Sequence, residues 1–140
     1  MRKTLIDLGQ MVNDDAGRSQ FQPNEQLDCT VRAFALLEGI PYNQAHDILR
    51  NAGREYGQCF ACVPLYNSFF ESVPLWECSP AGNAYANRFT VNQFLKCNPK
   101  GKFLVSIPGH VFTVIDGIIH DTGRGLFRFK GIKRIWKEKA

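Results

Sequence analysis

His110-Val111-Phe112-Thr113-Val114-Ile115-Asp116-Gly117-Ile118-Ile119-His120-Asp121 is the stretch that decides the fold. An Asp-Gly pair between two runs of β-branched and aromatic residues predicts antiparallel strands joined by a two-residue turn. Both turn positions need a left-handed backbone, which glycine adopts freely and aspartate tolerates. The turn then dictates the register: Ile115 faces Ile118, Val114 faces Ile119, Thr113 faces His120 and Phe112 faces Asp121. Alternation along the strands gathers His110, Phe112 and Asp121 on one face. His110 and Asp121 stand diagonally, roughly 7–8 Å apart at the backbone and within side-chain reach. His120 falls on the opposite face and Asp116 lies in the turn. The register therefore selects one histidine and one carboxylate from several.

Outward from this hairpin, Phe103 to Ile107 reads as a preceding strand and Leu126 to Lys130 as a following one, with Ile132 to Trp136 continuing after a bend at Gly131. Upstream the apolar period is helical. A helix is expected from about Cys29 to Glu38, stopped by Gly39, and a second one capped by Asn43 and ending near Gly53. A third should run from Val63 or Pro64 to about Glu71, followed by a short edge strand over Val73 to Cys78 and a loop over Ser79 to Arg88. Thr90-Val91-Asn92-Gln93 matches a capping box that opens a helix from Val91 to Cys97. Residues 1 to 23 carry a weak apolar rhythm, read as a short helix or strand, and then a polar loop from Asn13 to Pro23. Helices first and an antiparallel sheet last make an α+β domain, here a single one spanning residues 1–140.

The 140 residues suffice for a buried core, and the net charge of +4 argues for no class of partner by itself. Asp7, Gln10, Asn13 and Asp14 interrupt what begins like a signal sequence, and no apolar run reaches the length of a membrane span. A cytoplasmic location is expected, where Cys29, Cys59, Cys62, Cys78 and Cys97 remain thiols. Cys59-x-x-Cys62 with Cys78 and Cys97 offers four thiolates, but the second pair is split between a loop and a helix, so neither metal nor cofactor is expected.

Asn24-Glu25-Gln26-Leu27-Asp28-Cys29-Thr30-Val31-Arg32-Ala33-Phe34-Ala35 supplies the remaining chemistry. Asp28 suits an N-cap, which puts Cys29 on the first helical turn. There, unpaired amides and the helix dipole favour a thiolate. The competing reading is a buried cysteine acting as a small hydrophobe. A thiol at a helix start, an imidazole on a strand and a carboxylate on its neighbour are the parts of a thiol hydrolase. Cys29 would be the nucleophile, His110 the base and then the acid, and Asp121 the group that orients the ring. The Cys29 amide could provide one oxyanion donor, and a side-chain amide of Gln26, Asn24 or Gln22 a second.

Asp28-Cys29 opening a helix, Gly109-His110-Val111-Phe112 on a strand and Asp121 on the next resemble the papain-like cysteine peptidases. The closer resemblance is to the compact bacterial branch that includes the double-glycine leader peptidase domains of bacteriocin exporters. Small phage-encoded proteins of unknown role carry similar Asp-Cys-x-x-Arg-Ala and Gly-His motifs. The resemblance covers about residues 22 to 122. It implies a papain-like packing of N-terminal helices on the sheet and amide cleavage by Cys29, His110 and Asp121, with a peptide or protein as substrate. The chain departs from the family at Pro23, where the oxyanion glutamine usually stands, and at Thr30, where the leader peptidases have glycine.

The alternative function is a non-catalytic phage interaction protein on the same scaffold. It would bind a host protein or nucleic acid through Arg124, Arg128, Lys130, Lys133, Arg134, Lys137 and Lys139, interleaved with Phe127, Phe129 and Trp136. The alternation within that run describes a strand with its charges in water equally well.

Overall fold

The computed structural model describes residues 11–78, 89–122 and 131–139. Its strands are β1 (Met11–Asn13), β2 (Phe70–Val73), β3 (Lys102–Ile107), β4 (His110–Ile115), β5 (Ile118–Asp121) and β6 (Arg134–Glu138). Its helices are α1 (Arg18–Phe21), α2 (Cys29–Glu38), α3 (Tyr42–Asn51), α4 (Val63–Phe69), α5 (Leu75–Cys78) and α6 (Val91–Cys97). The β4–β5 hairpin pairs Ile115 with Ile118, Val114 with Ile119 and Thr113 with His120, as its turn requires. Asp116 and Gly117 both have positive φ, 50° and 78°. The Asp116 side chain also accepts from the Gly101 amide at 2.9 Å, tying the turn to the start of β3.

The six strands form one sheet in the order β1-β5-β4-β3-β6-β2. Every pairing from β5 to β2 is antiparallel, which gives the α+β architecture expected from the sequence. β1 departs from that pattern by pairing in parallel with β5, so the sheet is mixed. Nothing in three residues of strand marks this.

Several further expectations are corrected. The third helix ends at Phe69, and the strand that follows is Phe70–Val73 rather than Val73 to Cys78. Leaving the helix there buries Phe70 and Val73 while Glu71 and Ser72 face water, and it pairs the segment with β6. Beyond Pro74, Leu75–Cys78 is a single helical turn. The second helix starts at Tyr42, with extended Pro41 at its N-cap and no side-chain cap from Asn43. The last strand runs Arg134–Glu138, and α1 is a helical turn inside the stretch read as a polar loop. The expected strand at Leu126 to Lys130, the loop at Ser79 to Arg88 and the rhythm of residues 1–10 lie outside the described residues.

Burial on both faces holds the sheet in place. Phe103, Val105, Val114, Ile119 and Ile135 pack with Phe89, Phe94 and Leu95 on one side. There Phe94 and Phe103 meet edge to face, with centroids 5.1 Å apart. α6 is fixed against this layer by its capping box: the Thr90 amide donates to Gln93 Oε1 at 2.9 Å, and the Gln93 amide to Thr90 Oγ1 at 3.2 Å. On the other face Leu104, Val111 and Trp136 meet Val31, Phe34, Leu37, Leu49 and Tyr66 from the helices. α2 is buried along almost its whole length and ends at Gly39, whose φ of 66° gives the left-handed stop. Thr113 Oγ1 donates to the Ala33 carbonyl at 3.2 Å, fixing how far α2 slides along β4. That contact brings the start of the helix to the end of the sheet where β4 begins and β5 ends.

Candidate active site

His110 Nε2 lies 2.5 Å from Asp121 Oδ2. His120 is directed instead to Asp14, with Nδ1 3.2 Å from Oδ2, so the two histidines meet different carboxylates. Asp121 is almost fully buried. Burial would raise its carboxyl pKa, but the His110 hydrogen bond, the charges of His110 and Arg32, and the Thr122 amide together hold it below the ordinary value. An ionised carboxylate can only accept, so Nε2 carries the proton and Nδ1 is the ring nitrogen left for a second partner.

That partner is Cys29. Burial alone would raise the thiol; a hydrogen bond to His110, the ring's charge, the Val111 amide and the charge of Arg32 bring its pKa below the ordinary one. The imidazole responds in the opposite direction. Burial disfavours its cation, but hydrogen bonds and charge from Asp121 and Cys29 push its pKa up to about 9. A lowered thiol beside a raised imidazole favours the thiolate–imidazolium pair near neutral pH. Phe112 stacks on the His110 ring with centroids 6.0 Å apart, limiting its rotation.

Asp28 occupies the N-cap position of α2 but makes no side-chain cap. Its carboxylate is taken up in a buried network. Oδ1 accepts from Arg32 Nε and from Arg18, each at 3.0 Å, and Oδ2 accepts from the Tyr42 hydroxyl at 2.8 Å. Arg32 also donates to Asp121 Oδ1, so its guanidinium bridges the two carboxylates. Burial opposes the Arg32 charge, and Asp121 and Asp28 more than compensate. Sequence reasoning gave Arg32 no role. Its signal was position: an arginine one helical turn after Asp28, on a helix whose buried face is otherwise mostly apolar.

A second buried cluster fixes the chain just before Cys29. Glu25 accepts from the Gly57 amide at 2.5 Å and from Arg54 at 2.9 Å, and its Oε2 lies 2.6 Å from His46 Nε2. Burial would raise this carboxyl, but Arg54, His46 and the Gln26 and Gly57 amides lower its pKa to about 2.

Cys29 is 8% exposed and opens onto a cleft of about 270 Å³. Phe60, Val63 and Tyr66 from the helical side and Ile107, Val111 and Trp136 from the sheet supply most of its apolar wall. Thr30 Oγ1 donates to the Phe60 carbonyl at 2.5 Å, pinning the 59–62 loop to the start of α2. The Tyr66 hydroxyl is buried without a hydrogen-bond partner; Cys62 and Thr30 lie nearby but outside bonding geometry, and burial pushes its pKa well up. Gln22, Asn24 and Gln26 are not among the residues that line the cleft, and Asn24 and Gln26 are exposed. Cys62 and Cys78 are buried, Cys59 and Cys97 exposed, and all are free thiols. Among the described residues no three His, Cys, Asp or Glu side chains gather as a metal site, and no helix is long and apolar enough to cross a membrane.

Of the basic C-terminal run, Arg124, Arg128 and Lys130 lie outside the described residues. Lys139 is engaged with the Asn67 and Ser68 carbonyls, and the Arg134 guanidinium lies 5.8 Å from the centroid of the Trp136 ring. Comparison with known proteins gives no match, whether to family models, to curated sequences or to solved structures.

Proposed function

We propose that the protein is a thiol hydrolase of papain-like type that cleaves an amide bond in a peptide or protein through Cys29, His110 and Asp121. The observation that carries this reading is the His110 ring held between Asp121 and Cys29 at the mouth of an apolar cleft. His110 Nδ1 takes the thiol proton, and Cys29 Sγ adds to the amide carbonyl carbon. The C–N bond then breaks as His110 returns that proton to the leaving nitrogen, leaving a thioester on Cys29. Water, deprotonated by His110, attacks the thioester. The C–S bond breaks and the acid departs, restoring the thiolate–imidazolium pair. Asp121 keeps Nε2 protonated throughout, so that Nδ1 always faces the sulfur. The amides at the start of α2 support the developing oxyanion.

An activated ester such as p-nitrophenyl acetate tests the reading without knowledge of the natural substrate. The acetyl group should appear on Cys29 and then be lost by hydrolysis. It should be absent at that position in Cys29→Ser and form about a hundredfold more slowly in His110→Ala. Acetylation of exposed Cys59 or Cys97 ahead of Cys29 would overturn it.

A further inference from the structure

The cleft beside Cys29 is apolar but not neutral. No aspartate or glutamate is among its lining residues, and besides His110 its one ionisable nitrogen belongs to Lys133. Lys96, Lys100 and Lys137 also form no ion pair among the described residues but do not line the cleft, whereas several other cations are engaged. Arg18 and Arg32 meet Asp28, Arg54 meets Glu25, Arg50 meets Asp47, and Lys102 and Lys139 donate to backbone carbonyls. Lys133 Nζ has no such partner among the described residues. Its backbone is nevertheless held firmly: the Lys133 amide donates to the Ser106 carbonyl at 2.7 Å, and the amide of buried Ile132 to the Phe89 carbonyl at 2.9 Å. A fixed attachment point thus carries an exposed ammonium, without a partner among the described residues, at the rim of an apolar groove, an arrangement that favours a negative group there. The thiolate–imidazolium pair is neutral as a whole and does not cancel that charge. At about 270 Å³ the groove is just below the usual range of ligand pockets, roughly 300–1,000 Å³.

Building on the hydrolase reading, we propose that the substrate segment places a bulky apolar side chain against Phe60, Val63 and Trp136 and a neighbouring carboxylate on Lys133. Lys133 is thus the residue that determines specificity for acidic–apolar peptides. The apolar wall supplies affinity, and the ammonium decides which of the apolar peptides is held.

Protection of Cys29 from iodoacetamide by two peptides measures this. The peptides are acetyl-Glu-Leu-Phe-Glu-amide and acetyl-Lys-Leu-Phe-Lys-amide, which present the charge on both sides of the same apolar pair. Alkylation is read at each cysteine by mass spectrometry of the full chain. The acidic peptide should half-protect Cys29 at a concentration at least about threefold below that of the basic one at low salt, with the difference shrinking as salt rises. In Lys133→Glu the order should reverse, and in Lys133→Met the two should converge. Equal protection in the wild type, an unchanged order in Lys133→Glu, or no protection of a fast-reacting Cys29 by either peptide overturns the specificity proposal while leaving the thiol chemistry intact. A Cys29 that alkylates no faster than Cys59 and Cys97 removes the hydrolase reading, and this proposal with it.

Discussion

Replacing Arg32 with methionine keeps most of the side-chain volume and removes the one cation that bridges Asp28 and Asp121. Both carboxylates are almost completely buried, with side chains 1% and 2% exposed, so the loss is not made good by water. Asp28 retains Arg18 and the Tyr42 hydroxyl. Asp121 Oδ1 loses the guanidinium outright, and the buried carboxylate keeps only His110 and the Thr122 amide. A charge-assisted hydrogen bond contributes about 1.5–3 kcal/mol. Two are lost here and a carboxylate is left half-paired, so the expected destabilisation is about 3–5 kcal/mol, a large share of the ~5–15 kcal/mol that holds a domain together. Urea denaturation should show it as a lower midpoint with an unchanged slope. Arg32→Lys, which keeps the charge but cannot bridge both carboxylates with a planar fork, should lose less. Function should change as well. Without Arg32 the Asp121 carboxylate is oriented by His110 and the Thr122 amide alone, and Cys29 loses one of the charges that lowers its pKa. Alkylation of Cys29 in the folded variant should therefore slow and move to higher pH. A midpoint within about 1 kcal/mol of wild type, with an unmoved alkylation profile, would show that the guanidinium is incidental.

Glu25 should govern part of the acid stability. Its carboxyl pKa is lowered from 4.5 to about 2, so its contribution is fully present above pH 4.5 and disappears as pH falls towards 2. The shift corresponds to roughly 3 kcal/mol. Glu25→Gln should lose much of this at neutral pH and show a flatter fall in acid; parallel curves for the two proteins would contradict the assignment. Leu27 has a positive φ of 50° and is 60% exposed, so its side chain contributes little packing to set against the backbone cost. Leu27→Gly should stabilise by about 0.5 kcal/mol, the left-handed strain relieved less the entropy of glycine, as read from the denaturation midpoint. A loss of more than about 1 kcal/mol would mean that the leucine packs against something essential.

What the sequence revealed was local. The Asp116-Gly117 turn sets the register that brings His110 and Asp121 together, because a two-residue loop leaves only one pairing that keeps every apolar side chain on its proper face. Gly39 and the Thr90/Gln93 box marked helix ends through chemistry contained within a few residues. The misreadings arose where distant segments decide. The parallel pairing of β1 depends on β5, more than a hundred residues away. The switch to strand at Phe70 depends on the partner strand β6, whose neighbours in sequence give no sign of it. Asp28 looked like a cap because aspartate at a helix start usually is one. Only the fold shows Arg18 and Tyr42 converging on the same carboxylate and diverting it. Arg32 was passed over for the same reason, since its second partner lies 89 residues along the chain.

The central claim is that one sulfur is ionised by one imidazole, and the pH dependence of Cys29 alkylation measures it most directly. With His110 raised to about 9 and the thiol lowered, the rate should already be high at pH 7, and its inflection, which belongs to the pair, should lie below that of an ordinary thiol. His110→Ala should slow alkylation at pH 7 and shift the inflection upward. A Cys29 that reacts at pH 7 no faster than Cys59 and Cys97, or that is indifferent to the loss of His110, would contradict the account.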